Sequence, residues 1–216
     1  MTSVMRVKTH PEGGIAVRRL GPLVGMVMWL LVFSPPLWAQ GAAPLTVTAC
    51  AACHGAATAA AGAAPFPTLD GQHAAYLDKQ LREYKSGKRK SPIMAPVIAA
   101  LKKQQIPEMA AHYAKQTPAR GAVESPEAAT RGKALYEEGN RVTGVPACVG
   151  CHQANGAGYE KYPRLAGQRQ AYTVQQLTEF KSGARSNDRA HVMRAVAARL
   201  TDNEIKAVAE YLAGLQ

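Results

Sequence analysis

Two short stretches gather metal-binding side chains: CAACH at residues 50–54 and CVGCH at 148–152. Each holds two thiols and an imidazole, and together they use all four cysteines of the chain. Three chemistries suit such a set. Thiolates and imidazoles ligate zinc, paired thiols cycle with a disulfide, and a Cys-x-x-Cys-His run anchors c-type haem. Spacing separates them. Zinc sites built from two Cys pairs keep about 15–20 residues between the pairs, whereas Cys53 and Cys148 lie far apart. A redox dithiol wants a strand–helix–strand setting, and strand patterns are sparse in this alanine-rich chain. Two structural disulfides would leave the adjoining histidines unexplained. On a helix turn, positions i, i+3 and i+4 share a face. Cys50 and Cys53 can therefore reach two vinyl groups on one porphyrin edge while His54 points at the iron. Cys148, Cys151 and His152 repeat the arrangement. The expectation is two covalently attached haem c groups.

An iron held by one histidine needs a second axial ligand unless it binds a substrate or gas. Beyond the N-terminal leader the chain has three methionines, Met94, Met109 and Met193. Met94 lies 40 residues after His54 and Met193 lies 41 after His152, each read as sitting in a loop between helices. His/Met is a standard electron-transfer pair, so His54, Met94, His152 and Met193 are the expected iron ligands. Met109 aligns with Val208 on a helix face and reads as core filler. His191, two residues before Met193, is the competing ligand; His73 and His112 read as exposed or structural. Pro67 and Pro163 follow their histidines by 13 and 11 residues. A metal-bound histidine usually gives its other N–H to a carbonyl or carboxylate. The proline carbonyls are candidate acceptors; a role in stiffening the loop fits the spacing equally well.

The elements that must position these residues come as an internal repeat. FPTLDGQ (66–72) returns as YPRLAGQ (162–168), and AAYLDKQLREYKSG (74–87) as QAYTVQQLTEFKSG (170–183). The apolar positions 77, 81 and 84 have helical spacing, and Gly87 and Gly183 suit a C-terminal stop. A last helix in each half carries Ile106, Met109 and Tyr113, or Ile205, Val208 and Leu212. Thr201 and Glu204 form a capping box at the start of the second; Lys102 and Gln105 stand there in the first, which must begin less firmly. Residues 128–138 read as an opening helix of the second copy, with only a short counterpart before Cys50. The fold class is mostly α: a first domain at 44–117, a linker at 118–126 rich in Pro, Gly and Ala, and a second domain at 127–216.

The formal net charge is +11. Residues 1–39 hold four basic residues and one acidic, so their removal leaves 22 basic and 14 acidic. In that leader a basic pair, Arg18–Arg19, precedes the uncharged run LGPLVGMVMWLLVF (20–33). The run is shorter than the ~20 residues needed to span a bilayer. It reads as a secretory signal peptide, cut after Ala39 or Ala43, with an uncleaved N-terminal anchor as the alternative. A basic surface favours acidic protein partners, and Lys85, Lys88, Lys90, Lys161 and Lys181 could steer docking. No helix-turn-helix, RNP or zinc-finger pattern occurs, so nucleic acid is not an expected partner.

The order of CxxCH, PxLxGQ, Y-x-x-x-Q-L-x-x-[FY]-K-S-G, a methionine and a terminal helix, given twice, resembles the two-haem class I cytochromes c of bacterial periplasms, the c-four type. The likeness runs from about Thr48 to the end. It implies two tandem cytochrome c domains, each wrapped around one covalently bound haem. It implies that Pro67 and Pro163 bind the ligand histidines through their carbonyls, and that Leu69 and Leu165 pack on haem. The chain departs from the pattern in its short run-up to Cys50 and in Asp70, where the second copy has Ala166. The implied function is periplasmic one-electron transfer between redox proteins. A quinol-oxidising complex or dehydrogenase would be the donor and a terminal oxidase or reductase the acceptor, with membrane association through partners only. Two other readings are the cytochrome subunit of a sulfide- or alcohol-oxidising dehydrogenase and, more distantly, a haem peroxidase.

Overall fold

The computed structural model describes residues 47–55 and 66–216. The leader, its cleavage positions Ala39 and Ala43, and the first residues expected in domain one lie outside the described residues. The described residues all fall within one compact unit. Among the described residues the structure is helical, with only two isolated bridges, Asn140–Val145 and Tyr159–Tyr162.

The first half contains α1 (Val47–His54), α2 (Ala74–Lys85), α3 (Met94–Ala100) and α4 (Ile106–Ala114). The second contains α5 (Pro126–Glu138), α6 (Val149–His152), α7 (Gln170–Ser182), α8 (Val192–Ala197) and α9 (Asp202–Gly214). So α2, α3 and α4 correspond to α7, α8 and α9. The motif cysteines and histidines lie within α1 and at α6, as their face-sharing requires. Gly183 closes α7 in the left-handed conformation at φ 78°, which a side chain would resist.

One expectation needs correction. Met94 and Met193 are not in open loops: Met94 opens α3 and Met193 is the second residue of α8. The sequence MAPVIAA is alanine-rich enough for a short helix, and Pro96 falls in its first turn, where its missing N–H leaves no bond unmade. The capping expectations hold. Thr201 Oγ1 accepts from Glu204 N and Glu204 returns to Thr201 N, so α9 starts cleanly. In the first half Lys102 N donates to Gln105 Oε1, and a single 3₁₀ turn at Lys103–Gln105 leads into α4. The opening helix α5 begins at Pro126, capped by Ser125.

In the second half α9 packs on both α5 and α7, and α7 on α8. Leu135, Tyr136, Val145, Leu200, Ile205, Val208 and Leu212 form its core. In the first half α2 packs on α3 and α4, and the core divides into Ile98, Leu101, Ile106 and Met109 on one side and Leu77, Ala110 and Tyr113 on the other. The stretch before α5 is held down. Glu210 on α9 is 2% exposed and accepts from the backbone N–H groups of Glu124 and Ser125.

The halves meet through a pseudo-two-fold interface. The Gln72 side chain accepts from Arg164 N (2.9 Å) and donates to Arg164 O (2.9 Å). Gln168 does the same with Thr68, at 2.9 and 3.1 Å. Thr68 and Arg164 occupy the same place in PxLxGQ, so residue i meets j and j meets i, the signature of an isologous contact. His73 Nε2 bonds to Ala157 O (2.8 Å), and Arg169 at the same repeat position donates to Phe66 O (3.0 Å) and Gly55 O (3.1 Å). His73 is thus structural and ties the halves together. His112 rests edge-on against Tyr113.

Candidate functional site

A continuous cavity of about 660 Å³ runs through both halves. Its walls include Cys50, Cys53, His54 and Met94 on one side and Cys148, Cys151, His152 and Met193 on the other. Residues some forty positions apart in sequence thus line the same cavity in each half. His191, though next but one to Met193, is exposed and does not line the cavity. Met109 faces the cavity as part of the core cluster.

Backbone geometry fixes each histidine. His54 Nδ1 lies 2.8 Å from Pro67 O and His152 Nδ1 lies 3.1 Å from Pro163 O. Each ring therefore donates from Nδ1, which leaves the Nε2 lone pair for a metal. Phe66 and Tyr162, one residue before those prolines, meet the imidazoles edge-to-face at 6.2 and 6.1 Å. Burial pushes both histidines below their ordinary pKa; the proline carbonyls oppose this, and Arg169 adds to it at His54. A neutral imidazole is the ligating form. Leu69 and Leu165 line the cavity beside the prolines.

None of the four cysteines is in a disulfide. Burial raises the Cys50 thiol and pushes Cys148 up to about 11, whereas a redox dithiol needs a lowered pKa. Among the described residues no three His, Cys, Asp or Glu side chains converge as a zinc clamp requires. The residues fit a haem instead. The wall is apolar, each half offers one imidazole with a free-facing nitrogen and one thioether, and the buried Nε of Arg164 on that wall has no hydrogen-bond partner.

Different devices hold the two methionines. Ser91 Oγ accepts from Met94 N (3.2 Å) and caps α3. In the second half Asp188 accepts from Arg194 N (3.1 Å) and Arg194 Nε (2.7 Å), clamping the turn that delivers Met193. Ala190 and His191 within that turn have φ of 50° and 60°, a conformation that costs roughly 1–2 kcal/mol per non-glycine residue. Burial alone would raise the Asp188 carboxyl, but the bonds from Arg194 outweigh it and hold the pKa below its ordinary value. A carboxyl depressed on folding adds stability above its unfolded pKa of about 3.9, and the contribution fades as pH falls through the lower folded value. Asp188→Asn is therefore expected to destabilise the protein at neutral pH and progressively less in acid. Urea unfolding at pH 7 and near pH 3 checks this; a difference that does not shrink in acid contradicts it.

Of the lysines expected to steer docking, Lys85 is spent internally, donating to the carbonyls of Ile98 and Leu101 at the end of α3. Lys88 pairs with Glu83 and Lys181 with Asp202. Lys90 and Lys161 remain exposed. The interior polar groups on the cavity wall, Arg89, Arg185, Gln80 and Gln176, went unassigned in the sequence. Their signal was there: each arginine follows a repeated KSG by two residues, in KSGKR and KSGAR.

Comparison with known proteins agrees with this geometry. The cytochrome c family profile matches residues 39–119 and 129–216. The chain is 45% identical over 170 residues to a cytochrome c4 of Thiocapsa roseopersicina, covering 77% of this chain and 86% of that one. It is 37% identical over 203 residues to a thiosulfate dehydrogenase electron acceptor of Stutzerimonas stutzeri, covering 90% and 94%. The crystal structure of reduced cytochrome c4 from Pseudomonas stutzeri superposes with a TM-score of 0.72 at 38% identity, covering 79% of this chain and 95% of that one.

Proposed function

The chain belongs to the cytochrome c family as a two-haem member of the cytochrome c4 kind, and on that premise we propose that it carries electrons singly between redox proteins of the periplasm, through one haem in each half. The protein is an electron-transfer cytochrome with two covalent haem c groups. When bound, each haem supplies a one-electron Fe(III)/Fe(II) couple. The observation that supports the assignment of ligands is that, in each half, a proline-locked histidine and a methionine line the same cavity.

In this reading Cys50, Cys53, Cys148 and Cys151 anchor the groups, and Pro67 and Pro163 orient His54 and His152. Met94 and Met193 would each supply the second protein ligand to an iron, and Leu69 and Leu165 would exclude water. With these side chains as the iron ligands the bound groups would supply outer-sphere electron transfer, and the protein would act as a carrier rather than an enzyme. The reduced protein is expected to bind no carbon monoxide at neutral pH and to turn over no peroxide. Carbon monoxide uptake by either haem would overturn the assignment of that half.

A second reading concerns the partner. The resemblance to a thiosulfate dehydrogenase electron acceptor over 94% of that protein's length supports a dehydrogenase as the donor. Mixing the oxidised protein with such an enzyme and thiosulfate tests this. Reduction within the enzyme's turnover time supports it; reduction no faster than without enzyme removes it.

A further inference from the structure

The two methionines are reached along unequal paths. RKSPIM (89–94) in the first half answers to RSNDRAHVM (185–193) in the second, which is three residues longer. The short path is relaxed. Pro92 has its φ set by its ring, Ile93 is helical at φ −73° and ψ −45°, and Ser91 Oγ accepts from Met94 N. The long path is strained. Ala190 (φ 50°, ψ 28°) and His191 (φ 60°, ψ 19°) stand side by side in the left-handed region, immediately before α8. Residues other than glycine visit that region rarely, and then singly. Both side chains are exposed, so their own packing does not hold them there.

Strain of this kind persists only where the surroundings over-determine it, and here the residues on either side do so. The Asp188 side chain is 3% exposed and accepts from both the backbone and the side chain of Arg194, the residue after Met193. Asn187, 2% exposed, is anchored in the opposite half. Its carbonyl accepts from Lys79 Nζ (3.0 Å), and its side chain donates to Gln80 Oε1 (2.9 Å) and Glu83 Oε2 (2.6 Å). All three partners lie on α2 of the first half. The turn that carries Met193 is thus a strained span between two fixed ends, and one of those ends belongs to the other half.

We propose that Ala190 and His191 are positioning residues that hold Met193 under backbone strain, that Met193 is therefore the methionine released more readily, and that α2 of the opposite half sets how firmly it is held. This rests on the reading that Met94 and Met193 are iron ligands. Letting go of the turn relieves its strain, whereas the path to Met94 has none of this kind to relieve. The second half is then the one that accepts a small neutral nitrogen donor such as imidazole. The exchange moves no electron and no proton: the Met193 thioether leaves the iron and an imidazole nitrogen takes its place. Ferric iron suits it, because the soft thioether is a poor match for the harder oxidation state.

Imidazole titration of the oxidised, haem-loaded protein at one fixed pH, followed at the methionine-to-ferric-iron band, tests the proposal. The band is expected to disappear in two equal steps. Met94→Ala should keep only the step at lower imidazole, and Met193→Ala only the step at higher. Ala190→Gly and His191→Gly adopt positive φ without strain. Each should raise the concentration needed at Met193, on the order of fivefold, and leave the Met94 step in place. Lys79→Met should lower the Met193 step; a general loosening of the first half, to which Lys79 belongs, would instead show at Met94. A single step, glycine variants that change nothing, or a Lys79→Met effect confined to Met94 would overturn the proposal. A Met193→Ala protein that keeps the whole band sinks the ligand reading instead, so the two failures are told apart. Should the variants not accumulate with haem, the unmodified protein decides, because two steps are required of it and one step contradicts the strain.

Discussion

Replacing Met193 with alanine is expected to remove about half of the methionine-to-ferric-iron band and to leave the other half untouched, since one of two His/Met sites is lost. Met94→Ala should do the same from the other side. The affected haem should also fall in potential, on the order of 100 mV within the ~0.8 V span that axial ligation covers. The argument is geometric. Met94 and Met193 sit at matched places in the repeat, both line the cavity, and each is delivered by a short helix whose start is fixed. Alanine offers the iron nothing, and no other thioether in the second half can replace Met193. His191, two residues away in sequence, is the competing donor, and it is exposed and does not line the cavity. A Met193→Ala spectrum that kept the full band would overturn the assignment; a shift to a bis-histidine spectrum would name His191 as the substitute.

The second large effect is on stability. Gly132 lies in the middle of α5 where that helix crosses α9, and a Cβ there would stand 2.0 Å from Ala207 O and 2.5 Å from Ala207 C. The obstruction is backbone, which has no rotamer to escape into. Gly132→Ala should force the two helices apart and uncover the core around Leu135, Tyr136, Val208 and Leu212. Overpacking of this kind costs on the order of 1–3 kcal/mol or more, a large part of the margin of a small domain. Gly150→Ala is the control, since a Cβ at that position meets nothing within 4 Å. Urea unfolding followed at the second haem should show a lowered midpoint for the first variant and an unchanged one for the second. Equal midpoints would mean that α5 is not seated on α9 as described.

What could be read from the sequence was what repeats locally. The Cys and His spacing, the helices at 74–87 and 170–183, the Thr201–Glu204 box and the Pro67 and Pro163 carbonyls all rest on contacts made within about fifteen residues, and the structure forms each of them. Met94 and Met193 read as loop residues, yet the alanine-rich stretch that follows each supports a turn or two of helix. Contacts between the halves were not legible. Gln72 and Gln168 stood out as repeated residues, but nothing local shows that each reads the backbone of the other half. Lys85 looked like a surface charge until the end of α3 was placed beside it. Repetition marks such polar residues, but only the folded pair reveals which groups of the other half each one meets.

The central claim is that one chain holds two closed His/Met sites. Near-infrared magnetic circular dichroism of the oxidised protein, normalised to haem content, tests it most directly. The structure predicts two low-spin haems per chain, both with the methionine band at full intensity. A high-spin signal, a bis-histidine band, or half the expected methionine intensity in the unmodified protein would contradict it.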